Sequence, residues 1–102
     1  MARLIEVRET RSTPSRLILE TGDLLMFAAT GGQVRSGADV VNVLGPFSIG
    51  ILVVGGQILT PHGPPNTVFF LARGPGRARI EVITGDPWGA HETILLEVVV
   101  GP

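Results

Sequence analysis

This sequence predicts an all-β fold: an antiparallel two-sheet β-sandwich, jelly-roll or immunoglobulin-like, with about eight short strands. Three observations carry the prediction. Fourteen glycines and eight prolines punctuate 102 residues at intervals too short for ordinary helices. The segments between them are rich in Val, Ile, Leu and Phe, the residues that suit a pleated, half-buried surface. The stretch Arg77 to Ile83 alternates strictly, with Ala78, Ile80 and Val82 on one face and Arg77, Arg79 and Glu81 on the other.

Taken in order, the expected strands are Leu4 to Glu9, Arg16 to Glu20, Leu24 to Ala29, Asp39 to Leu44, Ser48 to Val54, Thr67 to Ala72, Arg77 to Ile83 and Thr93 to Val100. Each is an apolar or alternating run closed off by turn formers. The third is apolar on both faces, and so is Ile49 to Val54 within the fifth. Between the third and fourth, TGGQVRSG with Gly31, Gly32 and Gly37 reads as a turn. Between the sixth and seventh, ARGPGRAR reads as a solvated hairpin tip carrying Arg73, Arg77 and Arg79. The last strand has Ile94, Leu96, Val98 and Val100 on one face, while Leu95 and Val99 flank Glu97 on the other. It should be central, or covered by another subunit.

A chain this short is expected to form one domain, residues 1–102, since halves would be too small to bury a core. Apolar residues make up 44% and charged residues 17%, so the chain should collapse rather than stay disordered. No cysteine is present, which removes disulfides and thiolate chemistry. All eight basic residues are arginine, through either a GC-rich coding sequence or a surface rich in forked donors. The net charge of -1, with no aromatic residues interleaved among the arginines, argues against a nucleic-acid partner. No run approaches the roughly 18 apolar residues of a membrane span, and MARLIEVRETRSTPSR lacks the apolar core of a signal peptide. A soluble, unprocessed chain of undetermined compartment is the expectation.

No constellation selects a catalyst, so no enzyme is expected. GPFSIG has Pro46 where a nucleophile elbow centred on Ser48 needs glycine. Asp23, Asp39, Asp86 and Glu92 offer carboxylates, but no local feature pairs them. His62 and His91 stand at no metal-pair spacing. The one feature that asks for more than a turn is TGDPWGAHET, Thr84 to Thr93. There Gly85, Asp86 and Pro87 are turn chemistry, while Trp88 either caps the core or offers a flat face to a ligand. Asp86, Trp88, His91 and Glu92 are therefore the candidate ligand-binding residues.

Two family resemblances follow. Glu6 and Val7 close a first strand. Gly22 and Asp23 open another that ends in Ala29, Thr30 and Gly31. Gly50 to Gly56, Thr67 to Ala72 and a penultimate strand ending at Asp86 come after. In this order the chain resembles the small bacterial calcium-dependent galactose-binding lectins of the PA-IL type. That resemblance implies a jelly roll, a tetramer, and a calcium ligand at Asp86, with His91 and Glu92 near the place of the family's Asn pair. Pro87 and Trp88 after the strand Arg77 to Ile83, with Thr30 and Gly31 at the end of an earlier loop, also resemble the chagasin-type cysteine protease inhibitors, which are immunoglobulin-like sandwiches. The Asn-Pro that opens that family's loop is absent here, and so is the Arg before its Pro-Trp, where Asp86 stands.

The leading expectation is thus a non-enzymatic, lectin-like sandwich that self-associates and binds a glycan or a protein surface. It needs no cofactor unless calcium sits at Asp86. A structural assembly subunit, such as a coat or virion decoration component, and a chagasin-like protease inhibitor are the alternatives.

Overall fold

The computed structural model describes residues 2–9, 13–86 and 88–102. Ten strands follow one another, with no helix among the described residues: β1 (Leu4–Val7), β2 (Arg16–Glu20), β3 (Leu24–Phe27), β4 (Gly31–Ser36), β5 (Val41–Phe47), β6 (Ile51–Leu52), β7 (Ile58–Leu59), β8 (Thr67–Ala72), β9 (Gly76–Gly85) and β10 (His91–Gly101). They form one sheet in the order β1-β3-β8-β5, a second in the order β2-β10-β9-β4, and a small β6-β7 hairpin. The expected two-sheet sandwich is the observed one. Its central pairings are antiparallel, but both edge strands of the N-terminal segment pair in parallel, β1 with β3 and β2 with β10. Parallel neighbours need a crossover rather than a tight turn, and β1 lies in the first sheet while β2, next in sequence, lies in the second.

The core is what the alternation demands. Leu25 and Phe27 of β3, Val68, Phe70 and Ala72 of β8, and Val41 of β5 face Ala78, Ile80 and Val82 of β9 and Leu96, Val98 and Val100 of β10, all buried. Phe27 and Phe70 meet edge to face, centroids 5.7 Å apart, the arrangement favoured by the ring quadrupoles. Gly32 admits this pair, since a Cβ there would lie 2.9 Å from Phe70 Cζ and 3.0 Å from Val68 Cγ1. Among the described residues no buried side-chain polar atom lacks a partner.

The structure corrects three sequence readings. Gly31 and Gly32 lie in a strand, β4, which pairs with β9; only Gly37 belongs to the turn that follows. Residues 48–54 are not a strand of the sandwich but contribute two residues to the β6-β7 hairpin, and Ser48 lies beyond the end of β5. The Gly-Pro-Gly segment is no hairpin tip, because it leads from β8 in one sheet to β9 in the other. β10 is central, as expected, yet Leu95 on its outer face is exposed.

Candidate functional site at one end of the sandwich

The pairing register decides which connections share an end. Phe27, the last residue of β3, pairs with Val68 near the start of β8, and Thr67 pairs with Phe47, the last residue of β5. Gly31, the first residue of β4, pairs with Ile83 near the end of β9, and β9 turns back into β10 with Gly85 opposite His91. The 28–30 connection, the long 48–66 excursion and the 86–90 loop therefore leave the sandwich at the same end. Asp23, Asp39 and the 73–75 connection lie at the other.

A seam of backbone hydrogen bonds joins the bases of these three segments. The Ala29 N–H donates to the Asn66 carbonyl at 3.0 Å, the Asn66 N–H to the Phe47 carbonyl at 3.0 Å, and the Thr30 N–H to the Ile83 carbonyl at 2.9 Å. The Thr30 hydroxyl donates to the same Ile83 carbonyl at 3.2 Å, and that of Thr67 to Asn66 Oδ1 at 3.0 Å. Asn66 thus ties the 28–30 connection to the 48–66 excursion, and Thr30 ties it to the strand that carries the 86–90 loop.

The 86–90 loop builds its own frame. Asp86 Oδ1 accepts the Trp88 N–H at 2.9 Å, a side-chain mimic of a backbone turn. The Asp86 N–H donates to the Ala90 carbonyl at 3.0 Å, and the Gly89 N–H to the Asp86 carbonyl at 3.1 Å. Gly85 sits at a φ of 94°, where a Cβ would fall 2.7 Å from the Ala90 oxygen, so only glycine fits there. Upon this frame the Trp88 ring is 92% exposed: it does not cap the core. Pro87 lies outside the described residues.

Of the other candidates, His91 Nδ1 lies 3.2 Å from the Gly89 carbonyl. Glu92 follows on β10 and, by strand alternation, points to the opposite side of the hairpin from His91. Among the described residues no three His, Asp or Glu side chains converge as cation ligands, and the Asp86 carboxylate serves the turn. His62 is exposed in the 48–66 excursion.

Sequence reasoning missed the part played by the 48–66 excursion. Ile51, Leu52, Val54, Ile58 and Leu59 are all exposed on its hairpin, and such isolated two-stranded units are marginal in water. Beside its base an open cleft of about 350 Å³ is lined by Val7, Met26, Ala28, Ile49 and Asn66. The signal was present in the apolar run Ile49 to Val54, but composition alone does not distinguish a core strand from an exposed arm.

No family model matches the chain, and no curated protein is similar to it in sequence. Solved structures are similar in fold. The crystal structure of the cysteine protease inhibitor EhICP2 from Entamoeba histolytica superposes with a TM-score of 0.58 at 11% identity, covering 97% of this chain and 96% of that one. The solution structure of amebosin does so with a TM-score of 0.55 at 11% identity, covering 94% and 96%. At this identity the likeness is one of fold, an immunoglobulin-like sandwich. It agrees with the inhibitor resemblance of Pro87, Trp88, Thr30 and Gly31, and lends nothing to the calcium-lectin resemblance. No helix of the described residues is long and apolar enough to cross a membrane.

Proposed function

We propose that this chain is a non-enzymatic, protein-binding β-sandwich that occludes the cleft of a papain-type cysteine protease with the end formed by residues 28–30, 48–66 and 86–90. The observation that carries the reading is Trp88, exposed at the tip of a self-braced hairpin beside two further segments whose bases are hydrogen-bonded together. A large ring held in place by its own loop loses little freedom on binding, and tryptophan is prominent among residues that dominate interface energetics. The apolar hairpin at Ile51 to Leu59 supplies further area. The fold likeness to EhICP2, itself a cysteine protease inhibitor, supports the same reading. Inhibition of this kind needs no cofactor and no bond-making, only a wedge that the protease cleft accepts.

Titration against papain tests it. Saturable inhibition is expected, and Trp88→Ala, which leaves the core untouched, should weaken it about 30-fold, the equivalent of roughly 2 kcal/mol for a central aromatic anchor. Wild-type protein that leaves papain-type enzymes fully active at micromolar concentration would sink the reading.

Self-association is a second reading, favoured by the outer face of the first sheet. There Leu4, Leu24 and Leu71 form one row across the strands, ending in Asn42, and Met26, Phe69 and Leu44 a second, which starts at Glu6. Apolar area of this continuity is uncommon on monomers. Sedimentation of a stable monomer at micromolar concentration would remove that reading and leave the inhibitor reading intact.

A further inference from the structure

We propose that the outer face of the second sheet carries a binding site for a monocarboxylate with an apolar stem, received by Arg79. The site lies on the face of β9, β10, β2 and β4, away from the loop end. Its argument begins with register. Arg16, Glu97, Arg79 and Ser36 form one row across the four strands, and Leu95, Glu81 and Gln33 the adjacent row.

Residues directly opposite each other on antiparallel strands have Cβ atoms only about 5 Å apart, so Glu97 is the natural partner of Arg79. It is engaged elsewhere: Arg16 Nε lies 3.1 Å from Glu97 Oε1. The second carboxylate of this face, Glu81, is likewise taken, by Arg35 at 3.3 Å and by the Gln33 amide. Each acid is thus held by an arginine from an outer strand. Arg79, on a central strand between the two pairs, has no hydrogen bond or ion pair among the described residues.

The space above Arg79 is a depression of about 760 Å³ lined by Ser15, Arg16, Arg35, Arg79, Leu95 and Glu97. That volume suits a small molecule. The three arginines with Glu97 and Glu81 leave a local excess of one positive charge on a chain whose net charge is -1, which a single carboxylate balances. The planar guanidinium fork matches a carboxylate bidentately. Leu95 stands diagonally across from Arg79 and is 66% exposed, so an apolar stem attached to the carboxylate has a surface to cover. A nucleic acid is a poorer match, since no aromatic residue of this face is available for stacking and one unpaired guanidinium neutralises few phosphates.

The chemistry admits two sources, a free aliphatic acid or the C-terminus of a peptide ending in an apolar residue. ¹H–¹⁵N NMR titrations of the intact chain with acetate, octanoate and N-acetylleucine separate them. Octanoate or N-acetylleucine should saturate the protein at least about tenfold more tightly than acetate, shifting the Arg79 Nε–H and the backbone amides of Leu95 and Glu97. Preference for octanoate assigns the free acid, and preference for N-acetylleucine the peptide terminus. Arg79→Gln should weaken binding about tenfold, whereas Arg73→Gln at the far connection should leave it unchanged. Equal affinity for acetate and the longer acids, equal loss in both variants, or perturbations centred elsewhere would each overturn the proposal. None of these outcomes touches protease inhibition, which rests on the loop end.

Discussion

The two sheets share one core and turn every second side chain outward, yet they present opposite surfaces. On the first, cross-strand rows run Leu4–Leu24–Leu71 and Met26–Phe69–Leu44, and Phe47 packs on Phe69 with centroids 6.0 Å apart. On the second, the rows Arg16–Glu97–Arg79–Ser36 and Leu95–Glu81–Gln33 mix charged and polar side chains with Leu95, and two arginine–glutamate pairs bridge them. The same contrast runs through the salt bridges. Arg16–Glu97 and Arg35–Glu81 have arginine heads more than half exposed, where screening and side-chain entropy leave little net gain. Arg3–Asp23, which ties β1 to the turn before β3, has its carboxylate fully buried and accepting two guanidinium bonds and the Glu20 N–H. Arginine–carboxylate pairs differ in worth because their surroundings differ.

Breaking the buried pair should have the largest effect. Asp23→Ala removes three charge-assisted hydrogen bonds and is expected to cost about 2–3 kcal/mol, read as a lowered urea midpoint. The same group sets the acid limit. The Arg3 hydrogen bond holds the Asp23 carboxyl at about 2, below its usual 3.8, outweighing the burial that pushes the other way, with the Glu20 N–H assisting. A carboxyl lowered in the folded state stabilises the fold above its unfolded value, and that contribution is lost as pH falls from about 4 through 2. Wild type should therefore lose stability across that window, and Asp23→Ala should show a flatter profile. Coincident profiles would place the acid sensitivity elsewhere.

Next comes Phe69→Ala on the outer face of the first sheet. Its ring is partly covered, so about 1–2 kcal/mol is expected, and thermal unfolding should report it. A larger dependence of melting temperature on protein concentration in wild type than in this variant would tie the face to self-association. The smallest effect belongs to the charged face. Glu97→Gln should change stability by no more than about 0.5 kcal/mol, vanishing in high salt. A loss comparable to that of Asp23→Ala would erase the distinction between the two faces.

Much of this architecture can be read from the residues. β9 is plain in its alternation of Arg77, Arg79 and Glu81 against Ala78, Ile80 and Val82, and the central position of β10 in the apolar residues on both its faces. β4 escapes because GGQVRS carries turn-forming glycines and polar residues, and its strand state is imposed by β9 and by the ring of Phe70 over Gly32. The Ile49 to Val54 run misleads in the other direction, since exposed arms and buried strands draw on the same residues. At the loop end, Asp86 and Trp88 stand out in the sequence because tryptophan is rare and the turn chemistry is local. That Thr30, Asn66 and the 48–66 excursion join them is a property of strand order, which separates neighbours in space by up to 50 or so positions along the chain and leaves no trace in composition.

The closed hydrogen bonding of the 86–90 loop has a practical corollary. Its turn is tied off by Asp86, Gly89 and Ala90 without calling on the layers beneath. The tip is therefore a cassette: with Gly85, Asp86, Gly89 and Ala90 retained, positions 87 and 88 can be varied while the sandwich stays fixed. Selection from such a library would yield a display platform whose target is chosen at the bench.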